Sequence, residues 1–259
     1  MVEWSDDVSA ANWIVDRLHH LPTDVAWEVR SFVPDTFEAY TRLLHPPRRV
    51  ASGRRVKERW GDVAHERNVR LGPATPFEEL ATGTSGATEE PLAGTLDPDE
   101  LRALVDLLAG ATRTPGSCWF GLWEGYGWMQ GHPAFAELTS DSSRGSIAGR
   151  SSSAGLDPGK GLRDQDCRLS LPAPEGRVRV SDRSLVLYRG AIGAATAFCH
   201  PPACQSPNLW WPEDRGWCVV SEIDFHSTYL GGAEALIHQV LHDARFEAIP
   251  VRPTDSVTD

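Results

Sequence analysis

The sequence predicts an α+β fold, with a mainly antiparallel sheet flanked by helices. Segments with helical and with strand periodicity are mixed along the chain, without the regular strand–helix–strand rhythm of a parallel sheet. Hydrophobic residues make up 41% and charged residues 24% of the 259 residues, which is ordinary for a globular protein. No internal repeat is present. We therefore predict a single α+β domain over 1–259.

Apolar residues recur at helical spacing in five segments. The clearest is 97–110, where Asp97 is a suitable N-cap and Pro98 occupies the first helical position. In 34–47, two aromatic residues share a helical face with two leucines, and a pair of prolines ends the segment. The predicted helices cover 8–20, 34–47, 56–67, 97–110 and 233–243.

Other apolar runs have the length and composition of strands. The predicted strands cover 25–33, 117–124, 184–189, 192–198, 217–225 and 246–251. Segment 81–95 is rich in glycine and threonine, which predicts a loop. Residues 139–166 are rich in serine, glycine and aspartate and contain no aromatic residue, so we predict a flexible insertion or an exposed loop there.

The chain is acidic, because 25 Lys and Arg residues against 36 Asp and Glu residues leave a formal net charge of −11. This charge argues against nonspecific attraction to nucleic acid or to anionic lipid. The N-terminal residues lack the basic and apolar regions of a secretory signal, and no apolar run is long enough to predict a transmembrane helix. We therefore expect a cytoplasmic protein with neither a nucleic-acid nor a membrane partner.

The cysteines suggest reduced thiols. They are odd in number and irregularly spaced, at Cys118, Cys167, Cys199, Cys204 and Cys218. Without a secretory signal, free thiols are the expected state. Cys199, His200 and Cys204 could join Cys218 or His226 in a tetrahedral zinc site, but this spacing matches no familiar finger or ribbon. We therefore predict a reduced, partly buried cysteine pair, no metal and no cofactor.

Catalytic motifs are missing from the sequence. The stretch "GYGWMQG" departs from the dinucleotide-binding pattern at Gln130, and "DPGKGL" lacks the Ser or Thr of a phosphate-binding loop. No G-x-S-x-G, H-E-x-x-H or C-x-x-C motif occurs. A basic cluster from Arg48 to Arg59 could hold an anion, although a solvated helix face is the preferred interpretation.

The segment 206–232, "SPNLWWPEDRGWCVVSEIDFHSTYLGG", contains the strongest candidates for a functional site. On a strand over 217–225, Glu222, Asp224 and His226 would share one face, because alternate side chains point the same way. Two carboxylates and an imidazole at this spacing could bind a metal or act as an acid/base set. The alternative is an antiparallel strand with one solvated polar face and no functional role.

Four further residues of this segment are candidate ligand contacts. Trp210 and Trp211 are adjacent, so an extended backbone turns them to opposite faces and we expect one at the surface or lining a cleft. Asp214 and Arg215 flank a predicted turn, where the arginine could stack on a tryptophan or form an ion pair. We therefore predict that 206–232 forms the rim of the main cleft.

The earlier stretch "CWFGLWEGYGW" has a similar composition. Its alternation places Cys118 and Phe120 on one face, and Trp119 and Trp123 on the other. If strands 117–124 and 217–225 are neighbours, Glu124 joins the two later carboxylates in an acidic patch beside tryptophans. Such a patch suits a cationic small molecule or a basic peptide.

The chain resembles a large family of actinobacterial hypothetical proteins. The resemblance rests on "FEAYTRLLHP", "CWFGLWEGYG" and the late block "LWWPEDRGWCVVSEID", and it covers most of the chain except roughly 72–95 and 131–180. The family has no established reaction, so the resemblance implies membership and no mechanism. It implies motif positions for Phe37, Tyr40, Arg42, His45, Trp123, Glu124, Trp210, Trp211, Asp214, Arg215, Glu222 and Asp224.

Two functional hypotheses follow. The preferred one is a noncatalytic binding or interaction protein, regulatory or immunity-like, whose Trp-rich acidic cleft takes a small polar or cationic ligand or a protein partner. The alternative is an enzyme of unrecognised type acting on a small polar substrate. Its acid and base groups would be Glu222, Asp224, His226 and Glu124, and Arg215 or Arg42 would hold an anionic group.

Overall fold

A computed structural model describes residues 2–19, 27–81, 88–126, 176–200 and 203–257, and the predicted insertion 139–166 lies outside them. Its strands are β1 (Val2–Trp4), β2 (Ala39–Leu44), β3 (Arg48–Ala51), β4 (Arg54–Lys57), β5 (Thr88–Glu89), β6 (Cys118–Trp123), β7 (Arg177–Val180), β8 (Arg183–Gly190), β9 (Cys199–His200), β10 (Ala203–Cys204), β11 (Leu209–Pro212), β12 (Trp217–Val220), β13 (Ser227–Gly232) and β14 (Ala248–Val251). Its α-helices are α1 (Asn12–Val15), α2 (Trp60–Arg67), α3 (Phe77–Ala81), α4 (Pro98–Gly110) and α5 (Glu234–His242). Short 3₁₀ helices cover Val8–Ala11, Val29–Ser31 and Ile192–Phe198.

A nine-stranded sheet forms the centre of the molecule, in the order β1-β8-β6-β11-β12-β13-β2-β14, with β7 also paired to β8. Every pairing in this sheet is antiparallel. A small sheet of order β4-β3-β5 and a two-stranded sheet of β9 and β10 complete the described strands. The predicted α+β class with a mainly antiparallel sheet is confirmed.

Both faces of the central sheet are covered. Helices α4 and α5 pack on one face, through Leu104 and Ile237 among others, against sheet residues such as Phe120. The N-terminal segment packs on the other face, where Ile14 and Phe32 belong to a second apolar cluster. The sheet therefore separates two hydrophobic cores. Successive side chains along a strand point alternately into one core and into the other.

Three helices lie close to their predicted bounds, α4 and α5 through local signals and α2 with the help of a distant carboxylate. Helix α4 begins where Asp97 accepts a hydrogen bond from the backbone N–H of Asp99 at 3.0 Å, with Pro98 as first helical residue. In α5 the residues Leu236, Ile237 and Val240 form the buried stripe. Helix α2 occupies the last two thirds of predicted helix 56–67, and the carboxylate of Glu247 accepts from its first two N–H groups.

The predicted helix 34–47 is wrong, because its core is strand β2. This strand pairs with β13 on one edge and β14 on the other, and Tyr40 to Leu44 are buried on both of its faces. A strand buried on both faces loses the alternation of polar and apolar residues. The remaining apolar spacing imitates that of a helix.

Four further expectations need correction. Segments 25–33 and 192–198 were predicted as strands, but 3₁₀ helices occupy Val29–Ser31 and Ile192–Phe198. Strand 217–225 ends at Val220, and helix 8–20 is reduced to a 3₁₀ turn followed by α1. Short apolar runs carry the same local signal in a strand and in a buried turn, so tertiary packing decides between them. No helix in the described parts of the chain is long and apolar enough to cross a membrane.

Candidate functional site

A small, partly open pocket lies beside the ends of β11 and β12, with a cavity volume of about 30 Å³. Its walls are mostly apolar and come from four separate parts of the chain. The apolar lining residues include Phe32, Val180, Leu185, Leu209 and Val220. Arg183 and Glu222 supply charge to the same lining. An apolar cavity with a few polar groups is the usual form of a small-ligand site.

The backbone around the pocket is held by Asn208, which is 4% exposed. Its side-chain oxygen accepts from the N–H of Trp123 at 2.9 Å, and its amide nitrogen donates to the carbonyl of Ser221 at 3.0 Å. The same nitrogen lies 2.8 Å from the hydroxyl of Tyr126. Asn208 therefore ties the end of β6 to the loop that follows β12.

Three carboxylates surround Arg183. Its guanidinium lies 2.8 Å from Glu222 Oε1, 2.5 Å from Asp224 Oδ2 and 3.4 Å from Asp182 Oδ1. Burial acts to lower the pKa of Arg183, but these carboxylates outweigh burial and raise it. One positive and three negative charges leave this cluster with a net charge of −2. We name Asp182, Arg183, Glu222 and Asp224 the rim cluster.

Glu222 is the most fixed carboxylate of the rim cluster. Its side chain is 11% exposed, whereas that of Asp224 is 69% exposed. Besides the ion pair with Arg183, its Oε2 atom accepts from the backbone N–H of Asp224 at 2.7 Å. Two opposing partners hold the carboxylate in one orientation at the mouth of the pocket.

Trp123 and Glu124 reach this region from β6 by a different route than predicted. Strand β11 lies between β6 and β12, so strands 117–124 and 217–225 are not neighbours and the condition stated for a joint acidic patch is not met. The Arg183 guanidinium instead lies 6.0 Å from the centre of a Trp123 ring. Glu124 pairs with Arg177 at 2.6 Å. Arginines of β7 and β8 therefore link these residues to the site.

The predicted set of Glu222, Asp224 and His226 is not brought together as one group. Because β12 ends at Val220, these residues lie on a loop and do not share a strand face. The His226 ring packs against Phe77 of α3 with ring centres 6.1 Å apart, and its Nδ1 atom lies 3.7 Å from Glu78 Oε1. The two carboxylates contact Arg183 instead.

Trp210 and Trp211 are both core residues, which corrects the expectation that one is exposed. Trp210 is 0% and Trp211 1% exposed. Adjacent strand residues do point to opposite faces, but each face of this sheet is covered by its own core. Each tryptophan is therefore buried without any backbone irregularity, and the surface of the pocket does not use them.

Asp214 and Arg215 lie in the turn between β11 and β12, at the opposite end of this hairpin from the pocket. The carboxylate of Asp214 accepts from the Thr112 hydroxyl at 2.8 Å, the Arg113 N–H at 2.7 Å and the Gly216 N–H at 3.2 Å. Arg215 adopts φ 58° and its guanidinium lies 5.4 Å from a Trp13 ring centre. This arrangement stabilises the turn and places both residues outside the pocket.

Replacing Asp214 by alanine is expected to lower the free energy of unfolding by about 2 kcal/mol or more, since it leaves several donors without their acceptor. Burial acts to raise the pKa of Asp214, but its hydrogen bonds outweigh burial and lower it from the usual 3.8. The contribution is therefore complete above pH 3.8 and is lost as the pH falls through the lowered value. Urea denaturation at pH 7 measures the loss, and Asp106→Ala on the exposed side of α4 should change stability far less.

The cysteines depart from the expected fully reduced state. Cys199 is disulfide-bonded, while Cys118 and Cys218 are free and buried. The backbone register places Cys204 opposite Cys199 between β9 and β10. Burial raises the pKa of the Cys118 thiol to about 12. A disulfide sulfur is not a thiolate ligand, so Cys199 in this state does not serve the zinc alternative.

The basic cluster from Arg48 to Arg59 is a β-hairpin and not a helix face. Its cations pair with carboxylates: Arg48 and Lys57 with Asp97, and Arg49 with Glu58. These pairs offset the positive charge that an anion site would need. Within the described ranges, no group of three or more His, Cys, Asp or Glu residues is arranged to hold a metal ion.

The early motif residues Arg42 and His45 are fully buried. Arg42 donates to the carbonyls of Pro73 and Thr75, both at 3.0 Å. The His45 ring lies 2.6 Å from the carbonyl of Leu92 and 2.8 Å from the Thr228 hydroxyl, and burial lowers its pKa to about 4. Both side chains therefore hold loops against the sheet, and the imidazole is neutral at physiological pH.

Sequence reasoning missed Arg183, Asn208 and Phe32. Arg183 follows a tight turn at Ser181, which adopts φ 54°, and nothing in the local sequence connects it with Glu222. Asn208 immediately precedes the buried strand β11 in segment 206–232. Its polar side chain beside an apolar run is the one feature of the sequence that could have indicated its role. No protein-family model, curated protein or solved structure matches this chain. The resemblance to actinobacterial hypothetical proteins stays a prediction.

Proposed function

We propose that this protein is a noncatalytic binding protein whose pocket takes a small amphipathic cation. The observation that carries the proposal is the combination of an apolar lining with a rim cluster of net charge −2. An apolar ligand body would lie against Leu185 and Leu209, and a cationic head would lie at Glu222. Apolar burial supplies most of the affinity at such sites, and a few polar groups orient the ligand.

The aromatic ring of Trp123 supports a cationic head. The guanidinium of Arg183 lies 6.0 Å from the centre of one Trp123 ring. The face of a tryptophan attracts cations through its quadrupole. A ligand ammonium near Glu222 and Asp224 would occupy an environment that already accommodates positive charge.

The geometry of the carboxylates favours binding over catalysis. Glu222 and Asp224 are both ion-paired with Arg183, while His226 lies against α3. A general acid/base set needs its groups within reach of the same substrate atom. A fixed ion-paired carboxylate, by contrast, is preorganised to receive a cation, which lowers the entropy cost of binding.

The test compares three probes with the same aromatic body: 2-phenylethylammonium, 2-phenylethanol and 3-phenylpropionate. Isothermal titration at physiological salt should give the tightest binding for the ammonium and the weakest for the carboxylate. Glu222→Gln should weaken ammonium binding by about tenfold, which corresponds to ~1.4 kcal/mol, because one charge-assisted contact is lost.

Exposed Glu90→Gln is the matched control, since it removes the same charge at a residue that does not line the pocket. It separates a specific contact from the general attraction of cations to an acidic chain. Equal binding of ammonium and carboxylate probes would contradict the proposal. An unchanged affinity in Glu222→Gln would also contradict it.

A further inference from the structure

Helix α5 carries two histidines on its solvent side. His238 and His242 are exposed, whereas Leu236, Ile237 and Val240 face the core. Residues four apart on a helix are neighbours on one face. The two imidazole rings stack with centroids 4.0 Å apart and planes inclined by 21°. The helix therefore holds two potential metal ligands side by side.

The hydrogen bonding of His242 fixes which of its nitrogens is available. Its Nδ1 atom lies 2.8 Å from the backbone carbonyl of His238. A carbonyl oxygen only accepts, so Nδ1 carries the hydrogen and Nε2 of the neutral ring carries the lone pair. Metal-binding histidines commonly donate their second N–H to a backbone carbonyl in this way. His242 thus has the orientation of a metal ligand, with Nε2 accessible.

We propose that His238 and His242 form a surface chelate for a late divalent transition-metal ion such as Ni²⁺, Cu²⁺ or Zn²⁺. Imidazole nitrogen suits these ions and is a poor ligand for Mg²⁺ and Ca²⁺. Metal–nitrogen bonds of about 2.0–2.1 Å require the two nitrogens to lie roughly 3 Å apart. Both rings are exposed, so the side-chain rotations that would bring their nitrogens to this separation disturb no core contact.

The surrounding charge favours a cation. The chain has a formal net charge of −11. Glu234 is exposed and lies four residues before His238, on the same stripe of α5. Two protein ligands leave the other coordination positions to water or to a partner molecule, so the ion is expected to be exchangeable.

The experiment is isothermal titration of NiCl₂ into the full-length chain, prepared without a polyhistidine tag. The variants are His238→Ala, His242→Ala, their combination and His65→Ala, an exposed histidine of α2 that serves as control. Each α5 substitution should weaken Ni²⁺ binding by about tenfold or more, because a chelate becomes a single-ligand site. His65→Ala should bind Ni²⁺ as the unchanged chain does.

Alanine is the better helix former at an exposed position, so both α5 variants are expected to fold. Electron paramagnetic resonance with Cu²⁺ gives a second measurement: nitrogen coupling from two imidazoles in the unchanged chain should fall to one in each single variant. Equal Ni²⁺ affinity in the double variant and the unchanged chain would overturn the proposal. An unchanged Cu²⁺ spectrum in the single variants would overturn it as well.

Discussion

Replacing Gly94 by alanine is expected to lower the free energy of unfolding by about 3 kcal/mol or more, as overpacking against rigid backbone does. Gly94 adopts φ +66°, and a Cβ atom there would lie 2.6 Å from both Cα and O of Ile223. The backbone at Ile223 has little freedom to retreat, because the Gly94 N–H donates to the Phe225 carbonyl at 2.8 Å. Urea denaturation followed by circular dichroism measures the loss.

Gly53→Ala is the matched control for this substitution. Gly53 also has a positive φ, +75°, but nothing lies within 4 Å of the added Cβ. Gly53→Ala is expected to lower the free energy of unfolding by about 1 kcal/mol, because only the positive φ disfavours alanine there. The difference between the two variants isolates the contact of Gly94 with Ile223. Because Ile223 lines the pocket, Gly94→Ala should also weaken binding of the phenylethylammonium probe. Equal costs for both variants would contradict the described contact.

Replacing Glu100 by glutamine is expected to stabilise the protein at alkaline pH. Glu100 is 9% exposed, and its Oε2 atom has no hydrogen-bond partner among the described residues. Burial, and then the nearby charge of Asp97, raise the pKa of this carboxyl from 4.5 to about 8, although Lys57 partly opposes them. The side chain is therefore protonated in the folded protein at neutral pH and ionised in the unfolded chain.

The direction of the pH effect follows from this difference in bound protons. Between pH 4.5 and about 8 the folded state holds a proton that the unfolded chain has released, so stability falls as pH rises through this window. At roughly 1.4 kcal/mol per pH unit, the loss is on the order of 5 kcal/mol and is complete above the raised pKa. Glutamine is neutral throughout and removes this loss.

The measurement is the free energy of unfolding of Glu100→Gln and of the unchanged chain at pH 5 and pH 9. Their difference cancels the titration of all other groups that both proteins share. The gain from the substitution should be several kcal/mol larger at pH 9 than at pH 5. Glu90→Gln, at an exposed position, should show no such growth. A gain that does not increase with pH would refute a buried neutral Glu100.

Local signals were sufficient for several elements. Helix α4 was predictable because its N-cap, its first-position proline and its apolar stripe all lie within the same fourteen residues, 97–110. The two-sided alternation of β6 was also predictable, and Phe120 and Trp119 do lie in different cores. In both cases the relevant contacts repeat with the period of the element itself.

The candidate site was only partly predictable. Glu222, Asp224 and Trp123 were singled out from the sequence, and all three contact or face Arg183. Arg183 itself was not predicted as a site residue. It lies about forty residues before Glu222, and the periodicity of a single sequence does not indicate contacts over that distance. The grouping with His226 failed because the strand that would align the three side chains ends at Val220.

The sequence by itself determined the α+β class, the acidic charge, the capped helix α4 and the two-faced alternation of β6. Tertiary structure decided that β2 is a strand, that Trp210 and Trp211 are both buried, and that Arg183 joins the two carboxylates beside a pocket. The physical reason is the separation along the chain over which each interaction acts. Capping and periodicity act within one or two turns of chain, whereas burial on both faces and ion pairing depend on which distant segments cover each side of the sheet.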